Sequence, residues 1–353
     1  MSYTVKDMNE SSGRNLFSVV STFAGGGGSS IGYKLAGGKV VLANEMSEEA
    51  VKIYKRNHPD TVVIHDDIKN VGGGKIDLVD VDVLDGSPPC VTFSVARAKK
   101  RTPIQEESVT ENLVLDYIRV AQEILPKVCV IENVRQFKSA PVFEETIQQL
   151  RDVGYLVNHK VLNSVDYGVP QIRLRLFILA IRKDIAAKLN ITEEGLLNIF
   201  PERETDNDVT VRDALKDITS PPEERDLLLS SMRKSSNYEL LRYIPKDPPK
   251  KTRMSDLKKE WTSDFSLDRA SWYRPSPTLT SLGQQLGRGG ICHPEEDRLF
   301  TIKELIRLMS LPDDYSFIGS WNEKVKTIGN MVPPFMTYAL GKSIYRNILN
   351  PTS

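Results

Sequence analysis

Leu16-Phe17-Ser18-Val19-Val20-Ser21-Thr22-Phe23-Ala24-Gly25-Gly26-Gly27-Gly28-Ser29-Ser30-Ile31 is the stretch whose reading sets the fold. The apolar run over 16–20 reads as a buried strand, the glycines close it, and Ser29 to Leu35 opens a helix. Four glycines in a row resemble a linker, but here a strand and a helix abut them directly. A backbone without side chains, at the amino end of a helix, lets a ligand come close. The Gly-Lys-Ser/Thr ending of a phosphate-binding P-loop is missing, which argues against a nucleoside triphosphate.

The pattern repeats outward from this loop. An apolar run at 40–43 ends at Glu45, and Ser47-Glu48-Glu49 heads a helix that stops near His58-Pro59. A run at 62–64 ends in Asp66-Asp67, and one at 81–84 ends in Gly86-Ser87-Pro88-Pro89-Cys90. Residues 112–125 carry apolar side chains at helical spacing, and 128–131 ends in Glu132-Asn133. Two further strands, 155–163 and 174–182, flank Gly168-Val169-Pro170-Gln171. Short strands alternating with helices predict an α/β fold, a doubly wound and mostly parallel sheet with helices on both faces. Ligands of such sheets gather at the carboxyl ends of the strands, and every strand here ends in a polar or glycine-rich group.

A chain of 353 residues suggests about two domains at roughly 150 residues each. Hydrophobic residues at 40% and charged residues at 27% are enough to build a globular core. Lys plus Arg and Asp plus Glu are both 47, which excludes a polyanion grip by bulk charge but allows a local basic patch. Such a patch lies in the proline-rich middle, where 231–275 hold 11 Lys or Arg against six Asp or Glu, a local net of +5. Three cysteines are too few for a disulfide scaffold. No apolar run reaches the roughly 18 residues of a membrane span, and the polar start has no signal-peptide core. A soluble intracellular protein is expected.

Several residues carry chemistry. An acid about 20 residues beyond a glycine loop, as Glu45 is, can bind ribose hydroxyls, and Asp67 can accept from an adenine amino group. A lone cysteine is more often a buried structural thiol, and Cys129, inside an apolar run, fits that description. Cys90 differs, because two prolines and a glycine fix its backbone just past a strand end, where a thiolate can act as nucleophile. Cys292 lacks partners at metal-ligand spacing, so no metal is expected. Glu132 ends the neighbouring strand and is placed to pass a proton. Arg173 and Arg175 alternate on one side, either as a solvated stripe or as a grip on an oxygen and on Glu132.

Together these residues resemble the DNA cytosine-5 methyltransferases. The resemblance rests on Phe23-Ala24-Gly25-x-Gly27-Gly28, Glu45, Asp67-Ile68, Pro89-Cys90, Glu132-Asn133-Val134 and Gln171-x-Arg173-x-Arg175. It continues through Arg274-x-x-Pro277-Thr278, His293-Pro294, Arg298-Leu299-Phe300-Thr301, Leu311-Pro312-Asp313-Asp314-Tyr315 and Gly329-Asn330-x-Val332-Pro333. The family's order is kept from about residue 15 to 345. Two positions depart from it: Val91 stands where the family usually has Gln after the catalytic cysteine, and Met309 where it usually has Gln.

The resemblance implies a Rossmann-like class I methyltransferase domain (1–183 plus 322–353) and a smaller target-recognition domain (184–321). It implies that Cys90 adds to carbon 6 of a cytosine flipped out of double-stranded DNA, that Glu132 contacts N3 and the amino group, and that Arg175, with Arg173, binds the ring carbonyl and orients Glu132. S-adenosylmethionine would lie against Phe23, Ala24, Gly25, Gly27 and Gly28, with Glu45 on ribose and Asp67 and Ile68 on adenine. Pro89, Asn330 and Val332 would complete that pocket. Residues 91–111 would close on the base, with Arg97, Lys99, Lys100 and Arg101 on phosphates. Trp261, Trp272 and Tyr273 are expected as the core of the DNA-reading domain. A monomeric, cytoplasmic prokaryotic or phage enzyme follows, paired with a separate restriction endonuclease. The alternatives are a tRNA methyltransferase of the same family, whose own motif near the catalytic loop is not seen, and a non-catalytic DNA-binding homologue, against which Cys90, Glu132 and Arg175 all remain. A nicotinamide dehydrogenase shares the glycine loop and ribose acid but leaves Pro89-Cys90 and Gln171 to Arg175 unexplained.

Overall fold

The computed structural model describes residues 2–72, 80–89, 104–234, 238–249, 268–281 and 290–351. Its helices among these are α1 (Val5–Ser12), α2 (Gly28–Leu35), α3 (Glu48–Asn57), α4 (Ile104–Ile124), α5 (Pro141–Val153), α6 (Lys183–Lys188), α7 (Val211–Leu215), α8 (Pro222–Arg233), α9 (Ile302–Leu308), α10 (Trp321–Asn330) and α11 (Pro334–Ile344). The strands are β1 (Phe17–Thr22), β2 (Gly38–Glu45), β3 (Val62–His65), β4 (Val83–Gly86), β5 (Val128–Val134), β6 (Tyr155–Asn163), β7 (Leu174–Arg182), β8 (Asp268–Arg269) and β9 (Ile291–Cys292). Local chemistry sets many of the boundaries. Ser47 caps α3, with Glu48 and Glu49 in the first turn and Lys55 and Arg56 in the last, each complementing the helix dipole. Pro141 starts α5 and a left-handed Gly154 ends it, so β6 begins at the very next residue.

Strands β1 to β7 form one sheet in the order β3-β2-β1-β4-β5-β7-β6. Pairings from β3 through β5 are parallel, while β7 runs antiparallel to both β5 and β6. Alternating side chains feed two cores. Val20, Leu84, Cys129 and Ile131 pack with Tyr117 of α4 and Ile147 of α5 on one face. Val19, Val83, Val128 and Val130 pack with Tyr33 of α2 and Leu340 of α11 on the other. The doubly wound expectation is met, and β4 runs two residues past the sequence-expected end, which draws Asp85 into the sheet.

Winding proceeds outward from β1 to β3, then returns across β1 to place β4 on its other side. The carboxyl ends of β1 and β4 therefore flank the switch point, where open α/β sheets bind ligands. The glycine loop leaves β1 there and Gly86-Ser87-Pro88-Pro89 leaves β4, with Thr22 paired to Gly86. The segment after β7 does not separate at residue 184: Ala186, Leu196, Ile199 and Phe200 join the sheet's own core. A third core joins Met8, Ile31 and Ile53 to Leu279, Ile291, Phe300, Leu305 and Met331, so the middle of the chain rests on the first helices.

Candidate active site

The glycine loop is held in an unusual backbone shape. Phe23 and Gly25 lie in the left-handed region, at φ 51° and 54°, which for a phenylalanine is a strain the surroundings must hold. The Ala24 amide donates to the Asn44 carbonyl at 3.0 Å, and the Gly25 amide donates to Glu45 Oε2 at 2.8 Å. Glu45 Oε1 accepts from the Met46 and Ser47 amides at 3.0 and 2.7 Å, so the end of β2 fixes both this carboxylate and the loop. Two glycines show which side is free. A side chain on Gly28 would strike the Val332 carbonyl, whereas one on Gly25 would meet nothing within 4 Å. The loop is packed by the tail behind and open at Gly25 in front, beside the Glu45 carboxylate. A cofactor with hydroxyl donors fits that cradle.

The next strand ends contribute as follows. Asp67 Oδ1 accepts from the Lys69 amide at 3.0 Å and caps a short 3-10 turn, and Ile68 is buried. At the end of β5, Glu132 is 8% exposed and its Oε1 meets Arg175 Nε at 2.9 Å. Arg175 Nη1 donates to the Leu174 carbonyl at 2.8 Å, and Nη2 has no protein acceptor among the described residues, so donors remain for a ligand. Asn133 Nδ2 donates to the Pro88 carbonyl at 3.1 Å. That bond ties the segment leading to Cys90 to the residue beside Glu132. Pro89 is exposed.

Arg173 departs from its expected role. It lies just ahead of β7, is 2% exposed, and donates from Nη1 to the Leu279 carbonyl at 2.7 Å and from Nη2 to the Gly329 and Met331 carbonyls at 3.0 and 3.1 Å. Spent on three carbonyls, this guanidinium is a joint between the sheet and the tail rather than a grip on Glu132. The joint brings Val332, buried, against the amino end of α2, and leaves Asn330 exposed. Tyr273 is also corrected: it is 65% exposed, with the Arg212 guanidinium 4.7 Å above its ring, while Trp272 packs edge-on to His293. Cys90, Val91, Arg97, Lys99, Lys100, Arg101 and Trp261 lie outside the described residues. Cys129 and Cys292 are buried, and burial pushes both thiols up to about 12, which suits packing and not nucleophilic attack.

Two features go beyond the sequence reading: Asp85 entirely, and Met309, a departure from the family pattern, in the contact it makes. Asp85, 1% exposed, takes hydrogen bonds from Tyr33 Oη at 3.1 Å and Ser21 Oγ at 3.4 Å. Burial pushes its carboxyl up to about 7, with the nearby Glu132 charge adding to the rise. Its signal was an acid inside an otherwise apolar strand. Met309 is the other: its Sδ accepts from Gln171 Nε2 at 2.9 Å, and Gln171 Oε1 accepts from the Leu279 amide at 3.0 Å. A thioether is a weak acceptor, and here it fills the place of the family's amide.

The sequence profile of the C-5 cytosine-specific DNA methylases matches residues 17–346. The chain is 34% identical to the type II methyltransferase M.Eco47II of Escherichia coli over 345 residues, covering 94% of this chain and 79% of that one. It is also 34% identical to M.PspPI of a Psychrobacter strain, with the same coverage of each. Among solved structures, a Spodoptera frugiperda DNMT2 variant superimposes with a TM-score of 0.66 at 18% identity, covering 93% of this chain and 99% of that one. The Dnmt2 methyltransferase of S. pombe gives 0.62 at 19%, covering 95% and 99%. At these identities the structural likeness speaks to the fold alone.

Proposed function

This chain belongs to the C-5 cytosine-specific DNA methylase family and methylates carbon 5 of cytosine in DNA, and on that premise we propose which of its residues do the work. The observation that carries the reading is the Glu132–Arg175 pair at the switch-point end of the sheet, beside the Asn133 clasp on Pro88.

Carbon 5 of cytosine is too weak a nucleophile to take a methyl group unaided. In the proposed reaction the Cys90 thiolate forms a bond to carbon 6, and the ring electrons shift so that carbon 5 becomes nucleophilic. Glu132 holds a proton at ring N3 and accepts from the exocyclic amino group. Arg175 steadies that carboxyl through Nε and offers its remaining donors to the ring carbonyl oxygen. After transfer, solvent takes the carbon 5 proton, the C–H electrons form the carbon 5–carbon 6 double bond, the carbon 6–sulfur bond breaks, and Cys90 leaves as thiolate. The target atom is inaccessible in a duplex, so the cytosine is flipped out first.

S-adenosylmethionine is the proposed donor, and when bound it supplies an electrophilic methyl group on a sulfonium. Phe23, Ala24, Gly25, Gly27 and Gly28 would line its place, with Glu45 on ribose, Asp67 and Ile68 on adenine, and Pro89, Asn330 and Val332 around it. Gly25, open on its side-chain face and adjacent to the Glu45 carboxylate, supports that placement. Arg97, Lys99, Lys100 and Arg101 are proposed to meet phosphates. A DNA-reading domain is proposed from about 205 to 321, later than 184 because Leu196, Ile199 and Phe200 pack with the sheet. A monomer working beside a separate endonuclease, in the cytoplasm, completes the reading. The type II relatives give the tRNA alternative no support.

Cys90→Ser tests the core of this proposal. Labelled methyl transfer to unmethylated genomic DNA should vanish while donor binding stays within about twofold. Retained transfer would refute the role of Cys90.

A further inference from the structure

Pro312-Asp313-Asp314-Tyr315 is part of the family resemblance, yet nothing in the reaction uses it. Tyr315 is 3% exposed, and its hydroxyl donates to the Gly26 carbonyl at 2.5 Å across 289 residues of chain. A carbonyl only accepts, so the phenolic hydrogen is committed to it. His58 Nε2 lies 3.0 Å from the same phenolic oxygen and must therefore be the donor. Burial holds the His58 ring neutral, which leaves Nδ1 bare, and Nδ1 is a buried atom with no partner.

The turn carrying Tyr315 is gripped from two further sides. Asn57, the last residue of α3, donates from Nδ2 to the Ser316 carbonyl at 2.9 Å and accepts from the Ser316 amide at 2.8 Å. From the amino terminus, Ser2 Oγ donates to Asp313 Oδ2 at 2.6 Å and the Val5 amide to Asp314 Oδ1 at 2.7 Å. The Asp313 amide donates to the Tyr3 carbonyl at 2.9 Å, and the Tyr3 hydroxyl to the Ser310 carbonyl at 2.7 Å. These amino-terminal residues precede the family match, which begins at 17.

We propose that Tyr315 is a positioning residue for the donor loop: its hydroxyl, set by His58 and braced by Asn57 and residues 2–5, fixes the Gly26 peptide and so presents Gly25 to the methyl donor. The proposal rests on the reading that the glycine loop binds that donor. The loop needs such a brace because Phe23 is held in left-handed backbone, which a phenylalanine leaves once freed. A donor would then bind only the fraction of molecules still in it. One net hydrogen bond converts to a loss of about three- to tenfold in affinity.

The test measures binding of S-adenosylhomocysteine by calorimetry to the full-length protein. Tyr315→Phe should weaken it three- to tenfold and raise the donor KM equally, with kcat at saturating donor and DNA binding within twofold of the parent. Asn57→Ser, which leaves Tyr315 in place, should weaken it in the same direction and serves if Tyr315→Phe does not fold. The double variant with His58→Leu should lose no more than Tyr315→Phe alone. Unchanged donor affinity in folded Tyr315→Phe or Asn57→Ser, or an equal fall in kcat and DNA binding, overturns the proposal. Glu45→Gln separates the premise from it. If Glu45→Gln weakens probe binding and the Tyr315 variant does not, the brace is wrong and the donor site stands. If Glu45→Gln changes nothing, the donor site itself is wrong.

Discussion

Replacing Arg175 by Gln tests whether Glu132 and its partner act as one unit. At 2.9 Å and an effective dielectric of about 20, the two charges attract by about 6 kcal/mol before desolvation is counted. Both side chains are largely buried, 14% and 8% exposed, so most of that attraction offsets lost hydration. Removing one partner leaves the other charge buried alone, and the cost to folding should be about 3 kcal/mol, the lower end for buried pairs, because some water reaches both groups. Catalysis should suffer more. A carboxyl no longer held in place, together with lost donors to the ring oxygen, should lower kcat about a thousandfold, or about 4 kcal/mol. Single-turnover transfer of a labelled methyl group to unmethylated genomic DNA gives the rate, and urea denaturation gives the stability. The double variant with Glu132→Gln should be no slower than the slower single variant, because groups acting as a unit are not additive. Transfer by Arg175→Gln within tenfold of the parent, or rate losses that multiply in the double variant, would refute the reasoning.

Asp85 gives a pH prediction of definite sign. Its carboxyl rises from 3.8 to about 7 on folding, so between those values the folded chain holds a proton that the unfolded chain releases, and stability falls as pH climbs through the window. Asp85→Asn should remove that slope and gain about 2 kcal/mol over the parent at pH 8 relative to pH 5, read as urea midpoints; parallel pH profiles would count against it. Met309→Leu, which deletes the sulfur that Gln171 Nε2 donates to, should cost about 1 kcal/mol in the same assay, and a variant as stable as the parent would show that this contact carries no weight. Gly28→Ala should lower the melting temperature far more than Gly25→Ala, since the first drives a methyl group into the Val332 carbonyl and the second only holds alanine at φ 54°, a cost of about 1–2 kcal/mol. Equal losses from the two would show that the tail does not pack on α2 as described.

Much of the catalytic half was legible because its signals are local. A strand such as Val128–Val134 announces itself by an apolar run, and its carboxyl end is known once the direction of a parallel sheet is known, so Glu132 falls at the ligand edge without any structure. Glu45 was legible for the same reason, as an acid at the end of the next strand, whereas its bond to the Gly25 amide came from the structure. Two kinds of residue were hidden. The strand alternation that placed Arg173 beside Arg175 says which side a residue faces but not what meets it, and its three acceptors come from residues 279, 329 and 331. Tyr273, an aromatic in a proline-rich stretch, carries no periodicity that separates core from surface; it lies in an exposed turn, with the Arg212 guanidinium of α7 over its ring.

The role of Arg173 follows from the order of the chain. The segment between β7 and α10 interrupts the elements that make the sheet's second face, so α11 must return across more than 150 residues to cover β1 and α2. Hydrophobic burial of Met336, Leu340 and Ile344 draws that helix back, but such burial is non-directional and leaves the register of the preceding turn unset. Directional bonds set it: Arg173 takes the carbonyls of Gly329 and Met331, and Thr337 Oγ1 donates to the Ser29 carbonyl at 3.2 Å on α2. With the turn so fixed, the Val332 carbonyl occupies the space a side chain at position 28 would need, which is why glycine is required there while position 25 stays open toward a ligand. Arg173 thus bears on the glycine loop through the tail. A variant at Arg173 should therefore loosen Gly28 against Val332 before it alters the Glu132–Arg175 pair, whose own bond at 2.9 Å is made without it.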